Sequence, residues 1–326
     1  MSTSHTRTAA ALVGPSAHPD THSDTHANPM HPLTDVVAPE CAGAFGTGIA
    51  NASFGELLQG VLPVDGRHFL VTLPVNLYSR ARIELREDAA LTIRPAHKTK
   101  SLAAAERALR ALGYNGGGEI LVDSDMREGK GMSSSTADMV AAVRAAAAAV
   151  DAELRPDALC DAIRGIEPAD GLMYEGCVAF FHREVLLKSR LGGLPRMALV
   201  GLDEGGTVDT VDFNRRGSQP TGSQLAEYAS LLARIESAVA RGDCAEIGRI
   251  ATRSAFLNQA RNPKRHLEAL VSISENVGGL GVVVAHSGTV AAVLLDAADD
   301  DFQRRRADCC RAVSALGEDS IECTTL

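Results

Sequence analysis

The chain has 326 residues, 45% of them hydrophobic and 22% charged, an ordinary globular composition whose length suits one large or two medium domains. A formal net charge of −9 with no aromatic-interleaved basic patch excludes nucleic acid as an expected partner, and the apolar runs fall far short of the ~20 residues of a membrane span. The seven cysteines lack C-x-x-C spacing, which points to reduced thiols in a cytoplasmic protein and away from a disulfide framework or zinc.

Residues 1–45 read as a disordered tail rich in Ser, Thr, Pro, Ala and His. It holds His5, His18, His22, His26 and His31, but their irregular spacing favours disorder over metal binding. The apolar stretch at 8–14 is too short for a secretory signal. Strands are predicted at 68–78, 80–85 and 91–95, a helix at 102–112, a strand at 119–123 and an alanine-rich helix at 133–150. A short helix at 156–164 opens on proline; a hairpin at 178–181 and 185–188 and a strand at 196–202 follow. The remainder reads as helices at 223–240, 244–258 and 264–276, strands at 281–285 and 290–295, and a helix at 302–316. Mixed strands and grouped helices indicate an α+β fold, with a boundary near 192–195 that separates 46–194 from 195–326.

The stretch Glu128-Gly129-Lys130-Gly131-Met132-Ser133-Ser134-Ser135-Thr136-Ala137-Asp138 carries the most chemistry. It joins the strand at 119–123 to the alanine-rich helix. A strand, a glycine loop and a helix start present free N–H groups and the positive end of a helix dipole to an anion. It is not a Walker A loop, because Lys130 is followed by Gly131 where Ser or Thr is required. On its own it fits a phosphate site or a well-capped helix equally. Two further clusters flank it in sequence: Asn51-Ala52-Ser53-Phe54-Gly55-Glu56-Leu57-Leu58-Gln59-Gly60, and 278–289, which ends His286-Ser287-Gly288-Thr289.

In their order and separation the three clusters resemble the motifs of the GHMP kinases, the superfamily of galactokinase, homoserine kinase and mevalonate kinase, over roughly residues 46–300. That superfamily has an N-terminal Gly-Glu motif, a central Pro-x-x-x-Gly-Leu-Gly-Ser-Ser-Ala loop and a C-terminal glycine-rich motif; Ser133 stands at one of the glycines. Within it the chain looks most like the L-threonine kinases of the cobalamin pathway, with Ala-Ser-x-Gly-Glu-Leu-x-Gln-Gly at the first motif and Gly-Lys-Gly-Met-x-Ser-Ser-Thr-Ala-Asp at the second. The stretch from Ile166 to Tyr174 and that from Val284 to Thr289 look like its later motifs. Asn51 replaces a usual Pro and Phe54 a usual Cys.

The resemblance implies a two-domain fold, with an N-terminal ribosomal-protein-S5-like βαβ domain and a C-terminal ferredoxin-like α/β domain. It implies an ATP-dependent, Mg²⁺-assisted kinase of a small hydroxyl amino acid, L-threonine giving O-phospho-L-threonine. Homoserine or another hydroxyl amino acid of specialised metabolism is the alternative acceptor, and an inactive nucleotide-binding regulator the alternative class. The oligomeric state is open, a homodimer being one option. Gly129, Lys130, Gly131, Met132, Ser133, Ser134, Ser135 and Thr136 would wrap the ATP phosphates, with Ser135 also on Mg²⁺. Asp170 would meet the acceptor hydroxyl as base or as a turn residue that orients it. Ser53, Phe54, Glu56, His286, Ser287, Gly288 and Thr289 would line the acceptor pocket, or Glu56 would brace the phosphate loop by hydrogen bonds. Four groups have a plainer reading beside the functional one. Lys130 is a phosphate contact or a solvated lysine; Glu167 is a Mg²⁺ ligand or a surface carboxylate. His286 is structural or catalytic, and Asp138 reaches metal or simply suits a helix N-terminus.

Overall fold

The structure is a computed structural model that describes residues 43–87, 89–206 and 220–326. The tail expected at 1–45 falls almost wholly outside the described residues. From Gly43 onward the described residues lie in one compact unit.

Two long antiparallel strands organise the first half: β1 (Phe45–Val61) and β2 (His68–Arg86). The strands predicted at 68–78 and 80–85 are thus one. β1 was not expected as a strand, because glycines and small polar residues interrupt its apolar pattern. It accommodates them by slipping register between Asn51 and Ala52, between Ser53 and Glu56, and between Glu56 and Leu58. Each slip is a bulge that re-aims side chains locally. β3 (Leu91–Arg94) runs parallel to β4 (Gly117–Ser124), which pairs with β2. β5 (Cys177–Phe181) pairs with β2 and with β6 (Leu186–Gly192).

The second half contributes β7 (Met197–Asp203), β8 (Gly281–Val284), β9 (Val290–Asp296) and β10 (Asp319–Thr324), the last unmarked in the sequence. All join one sheet in the order β10-β7-β9-β8-β1-β2-β4-β3. The halves meet where Glu56 of β1 pairs with Val284 of β8. A bridge from Val75 to Thr325 ties the chain after β10 back to β2, so the sheet curls on itself.

Seven helices cover the sheet among the described residues: α1 (Thr99–Ala111), α2 (Ser134–Ala149), α3 (Pro156–Ile163), α4 (Gly222–Arg241), α5 (Cys244–Asn258), α6 (Leu267–Val277) and α7 (Phe302–Ser314). α4 starts on a capping box between Thr221 and Gln224, and α5 on the Asp243 carboxylate, which accepts from Glu246 N–H. The expected α+β class holds. None of these helices is long and apolar enough to cross a membrane. The six described cysteines are all free thiols.

α2 is buried along nearly its whole length, which its alanines permit. It lies on β1 so closely that a Cβ at Gly48 would sit 2.1 Å from the Ala141 carbonyl oxygen, and one at Gly46 2.0 Å from that of Ala145. The core of this half includes Phe54, Leu57, Phe69, Ile83, Ile120 and Met139. The second core joins Val200, Leu202, Leu267, Leu270, Val293 and Val313. Gly48→Ala must push α2 off β1, and overpacking of this kind costs about 1–3 kcal/mol. A urea titration is expected to show that loss as a lowered midpoint; an unchanged midpoint would contradict the packing.

Candidate active site

The loop between β4 and α2 passes through three left-handed residues: Gly129 at φ 73°, Gly131 at φ 84° and Ser133 at φ 58°. The last explains why the general motif has glycine there: a side chain in this region is strained. Ser133 occupies the N-cap position of α2, yet its hydroxyl does not cap the helix; it lies near the Asp170 carboxyl and favours its ionised form against burial. The helix-cap reading of the loop therefore fails at that residue, and the first N–H groups of α2 have no side-chain cap. Gly129, Gly131, Ser133, Ser134, Ser135 and Thr136 all line a cleft of about 260 Å³. That is the geometry of an anion site at a helix N-terminus.

Both neighbouring motifs grip this loop by backbone. Gly55 N–H donates to the Gly131 carbonyl at 3.0 Å, and Thr289 and Val290 N–H groups donate to the Lys130 carbonyl at 2.9 and 3.2 Å. Gly131 and Gly288 face each other without room for side chains: a Cβ on Gly288 would lie 2.4 Å from the Gly131 Cα. The three clusters seen in the sequence are thus one site.

Several expected roles change. The Lys130 ammonium does not line the cleft; it sits 2.7 Å from Asp203 and 2.7 Å from the Gly206 carbonyl. Burial opposes the charge on Asp203, but hydrogen bonds from Lys130, the Thr289 hydroxyl and Gly205 N–H outweigh it and hold the carboxyl below its ordinary range. Lys130 and Thr289 therefore lock the loop to the second half, and neither is placed to touch a phosphate. Met132 is buried at 5% exposure and contributes packing. Phe54 is wholly buried and does not line the cleft, so it belongs to the core. Ser53 is equally buried, donating to the Gly55 carbonyl and accepting from Leu73 N–H. Of 286–289 only Ser287 lines the cleft.

The start of α1, which no motif marks, also lines the cleft through Lys98, Thr99, Lys100 and Ser101 together with His97. Lys98 is buried beside Asp138 at 2.5 Å and Glu128 at 2.8 Å. Burial disfavours its charge most strongly, yet the hydrogen bonds and attraction of those two carboxylates exceed that penalty and raise its pKa. Asp138 also accepts from Ser79 at 2.6 Å, so it is an internal ion-pair partner. Lys100 meets Glu167 at 2.6 Å, and the other Glu167 oxygen accepts from the Ser135 hydroxyl.

The remaining end of the cleft is lined by acceptors. Glu56 accepts on one oxygen from His286 N–H at 2.9 Å and from His286 Nδ1 at 2.8 Å. His286 Nε2 meets the Ser254 hydroxyl at 2.8 Å, and Ser254 Oγ accepts from Gln59 N–H at 3.3 Å. His286 is therefore a buried orienting residue. Its segment is held further by Asn262, which donates to the His286 and Gly288 carbonyls at 3.0 and 2.9 Å, and by buried Lys264, which donates to the Gly288 carbonyl at 2.7 Å. Burial pulls the Lys264 ammonium down to about 8. Asp170 is fixed through its N–H to the Thr136 hydroxyl at 3.2 Å. Desolvation first, and then the Glu56 carboxylate, push its pKa up to about 7.

Among the described residues no group of three or more His, Cys, Asp or Glu gathers to hold a metal by itself. Mg²⁺ at phosphoryl-transfer sites takes only one or two protein carboxylates, with phosphate oxygens and water completing the shell. A buried carboxylate bonded to a loop serine, as Glu167 is to Ser135, fits that smaller demand.

A cradle of free helix N–H groups, two lysines held by carboxylates and a carboxylate with a raised pKa suit phosphoryl transfer. Residues 99–176 match the family description "GHMP kinases N terminal domain" and 235–311 "GHMP kinases C terminal". The L-threonine kinase of Citrobacter freundii is 31% identical over 253 residues, 75% of this chain and 84% of that protein. That of Salmonella typhimurium is 31% identical over 277 residues, 83% of this chain and 87% of that protein. The crystal structure of homoserine kinase from Cytophaga hutchinsonii superposes with a TM-score of 0.68 at 16% identity, covering 89% of this chain and 97% of that one. That of L. major mevalonate kinase in complex with R-mevalonate gives 0.66 at 18%, covering 89% and 98%. The chain belongs to the GHMP kinases and has their two-domain fold. It is an ATP-dependent kinase acting on a hydroxyl group.

The Lys98–Asp138 pair is buried at the junction of α1, α2 and β2. Lys98→Met is expected to lower unfolding free energy by about 3–5 kcal/mol, because it leaves a buried charge without its partner. Adding Asp138→Asn should recover most of that loss in chemical denaturation. Wild-type stability in the single variant would contradict the pairing.

Proposed function

We propose that the chain phosphorylates the side-chain hydroxyl of an amino acid, converting L-threonine to O-phospho-L-threonine. The observation that carries this reading is Asp170, whose N–H donates to the Thr136 hydroxyl of the loop and whose carboxyl, beside Ser133, has its pKa raised to about 7. A base works best when its pKa lies near the operating pH. The identity to two L-threonine kinases over most of their length supports threonine as acceptor, and a place beside cobalamin synthesis rests on the motif resemblance alone.

Phosphoryl transfer asks for positioning and charge neutralisation more than covalent help. The N–H groups at the start of α2 and the hydroxyls of Ser134 and Ser135 bind the phosphates. Lys100, half-exposed beside Glu167, supplies mobile positive charge at the same wall. Glu167 and Ser135 would hold Mg²⁺, which would supply charge neutralisation on the phosphates. Asp170 takes the proton from the acceptor hydroxyl as its oxygen bonds to the γ-phosphorus and the bond to the ADP oxygen breaks. Glu56, clamped by His286, stays beside Asp170 and sustains its raised pKa.

A coupled ADP-release assay across L-threonine, L-serine, L-homoserine and non-amino alcohols is expected to give the highest kcat/KM with L-threonine. A higher value for any other acceptor would displace threonine. For the best acceptor, kcat/KM should rise with pH through an inflection near 7 as Asp170 ionises. Asp170→Asn should lower kcat by about 10²–10⁴-fold and flatten that limb, and Ser135→Ala should lower kcat with the fold intact. An inflection that survives in Asp170→Asn would assign the titration, and the base, to another group.

A further inference from the structure

The connection between α5 and α6 carries two side chains that no motif marks and that the chemistry above does not use. Lys264 is buried, and its ammonium donates to the Gly288 carbonyl at 2.7 Å. Asn262 donates to the same carbonyl at 2.9 Å. A buried ammonium is costly to keep. Two donors also use both lone pairs of one carbonyl oxygen, which fixes the direction of its peptide.

A trans peptide is planar, so its C=O and its N–H point in opposite directions. The Gly288 carbonyl and the Thr289 N–H belong to one such plane. Lys264 and Asn262 hold its carbonyl end, and its N–H end donates to the Lys130 carbonyl at 2.9 Å. The Lys130 carbonyl shares the next plane with the Gly131 N–H. With that carbonyl turned towards Thr289 and Val290, the Gly131 N–H faces away from them. It makes no hydrogen bond among the described residues, and Gly131 lines the cleft. Neither plane has room to turn, since a Cβ on Gly288 would lie 2.3 Å from the Lys130 carbonyl oxygen. A charged donor at one end of such a chain also polarises the links beyond it. The same connection reaches the segment beside Asp203: His266 N–H donates to the Glu204 carboxylate at 2.8 Å, and Glu204 N–H to the Thr289 carbonyl at 3.1 Å.

We propose that Asn262 and Lys264 are positioning residues for the nucleotide: through the 288–289 and 130–131 peptides they aim the Gly131 N–H at a phosphate oxygen of ATP. This role rests on the loop from Gly129 to Thr136 being the phosphate site, and not on which amino acid is the acceptor. Neither side chain touches a substrate. Both act on nucleotide affinity from the far side of the third cluster.

The test measures two quantities in wild type, Lys264→Met and Asn262→Ala: the calorimetric Kd of a non-hydrolysable ATP analogue with Mg²⁺, and the KM of the best acceptor at saturating ATP. Lys264→Met keeps an unbranched side chain of similar length and removes its donors. It should weaken binding of the analogue by about three- to tenfold, the contribution of a single hydrogen bond, while the acceptor KM stays as in wild type. Asn262→Ala should do the same, and it decides by the same outcomes if Lys264→Met does not fold. An unchanged Kd, or a loss for the acceptor equal to or greater than that for the analogue, overturns the relay; the latter is what a general loosening of the fold would give. Amide hydrogen exchange across 129–136 in wild type tests the site on which the relay acts, and the analogue is expected to slow it. No slowing would remove the loop as the phosphate site, and the relay with it. Slowing together with unchanged affinities in the variants removes the relay alone.

Discussion

Two carbonyl groups, those of Lys130 and Gly131, hold the site together. Each accepts backbone N–H groups from a different part of the chain, Thr289 and Val290 on one side and Gly55 on the other. A glycine loop left to itself is entropically expensive to order. Here it is ordered by neighbours that are themselves fixed in the sheet, because Gly55 belongs to β1 and Val290 opens β9. The loop can then keep its helix-start N–H groups free for an anion, since its own hydrogen-bonding needs are met elsewhere. Gly131 and Gly288 make the arrangement sterically possible, and the largely buried Lys130–Asp203–Thr289 contacts add a charged lock.

The cleft that results brings lysines and carboxylates together. The α1 start supplies Lys98, held by Asp138 and Glu128, and Lys100, held by Glu167; the phosphate loop supplies free N–H groups, and Glu56 lies near Asp170. Acidic groups this close would repel one another if all were free. Glu56 is bonded to His286, Glu167 to Lys100 and Ser135, and Asp170 is left with the raised pKa. Separating roles among neighbouring carboxylates by environment is a recurrent way to obtain a base at neutral pH. The ladder of Gln59, Ser254, His286 and Glu56 also links β1 to α5 and to the third motif, so the acceptor wall and the phosphate loop are positioned by the same segments.

Much of this could be read from the sequence because glycine and serine clusters signal their chemistry locally. The loop from Gly129 to Thr136, the partner motifs around Gly55 and Gly288, and the helices at 223–240 and 244–258 all follow from short-range pattern. What escaped was long-range. β1 looked unlike a strand because its bulges and glycines are solutions to packing against α2 and β8. The start of α1 was missed because Lys98, Thr99, Lys100 and Ser101 show no apolar period, although all four line the cleft and Lys98 and Lys100 pair with carboxylates 40 and 67 positions away. Phe54 and Lys130 misled for a related reason: a residue inside a motif need not face the ligand. Asn262 and Lys264 had no motif at all, and only their contacts with the carbonyls of 286–288 disclose them.

Catalysis here depends on where the two substrates meet. A crystal structure of the full chain with a non-hydrolysable ATP analogue, Mg²⁺ and L-threonine would show this directly. The expected result has the γ-phosphate against the N–H groups of residues 134–136 and the acceptor hydroxyl within about 2.6–3.2 Å of an Asp170 oxygen. A nucleotide whose phosphates lie away from the loop, or an acceptor hydroxyl that points away from Asp170, would contradict it.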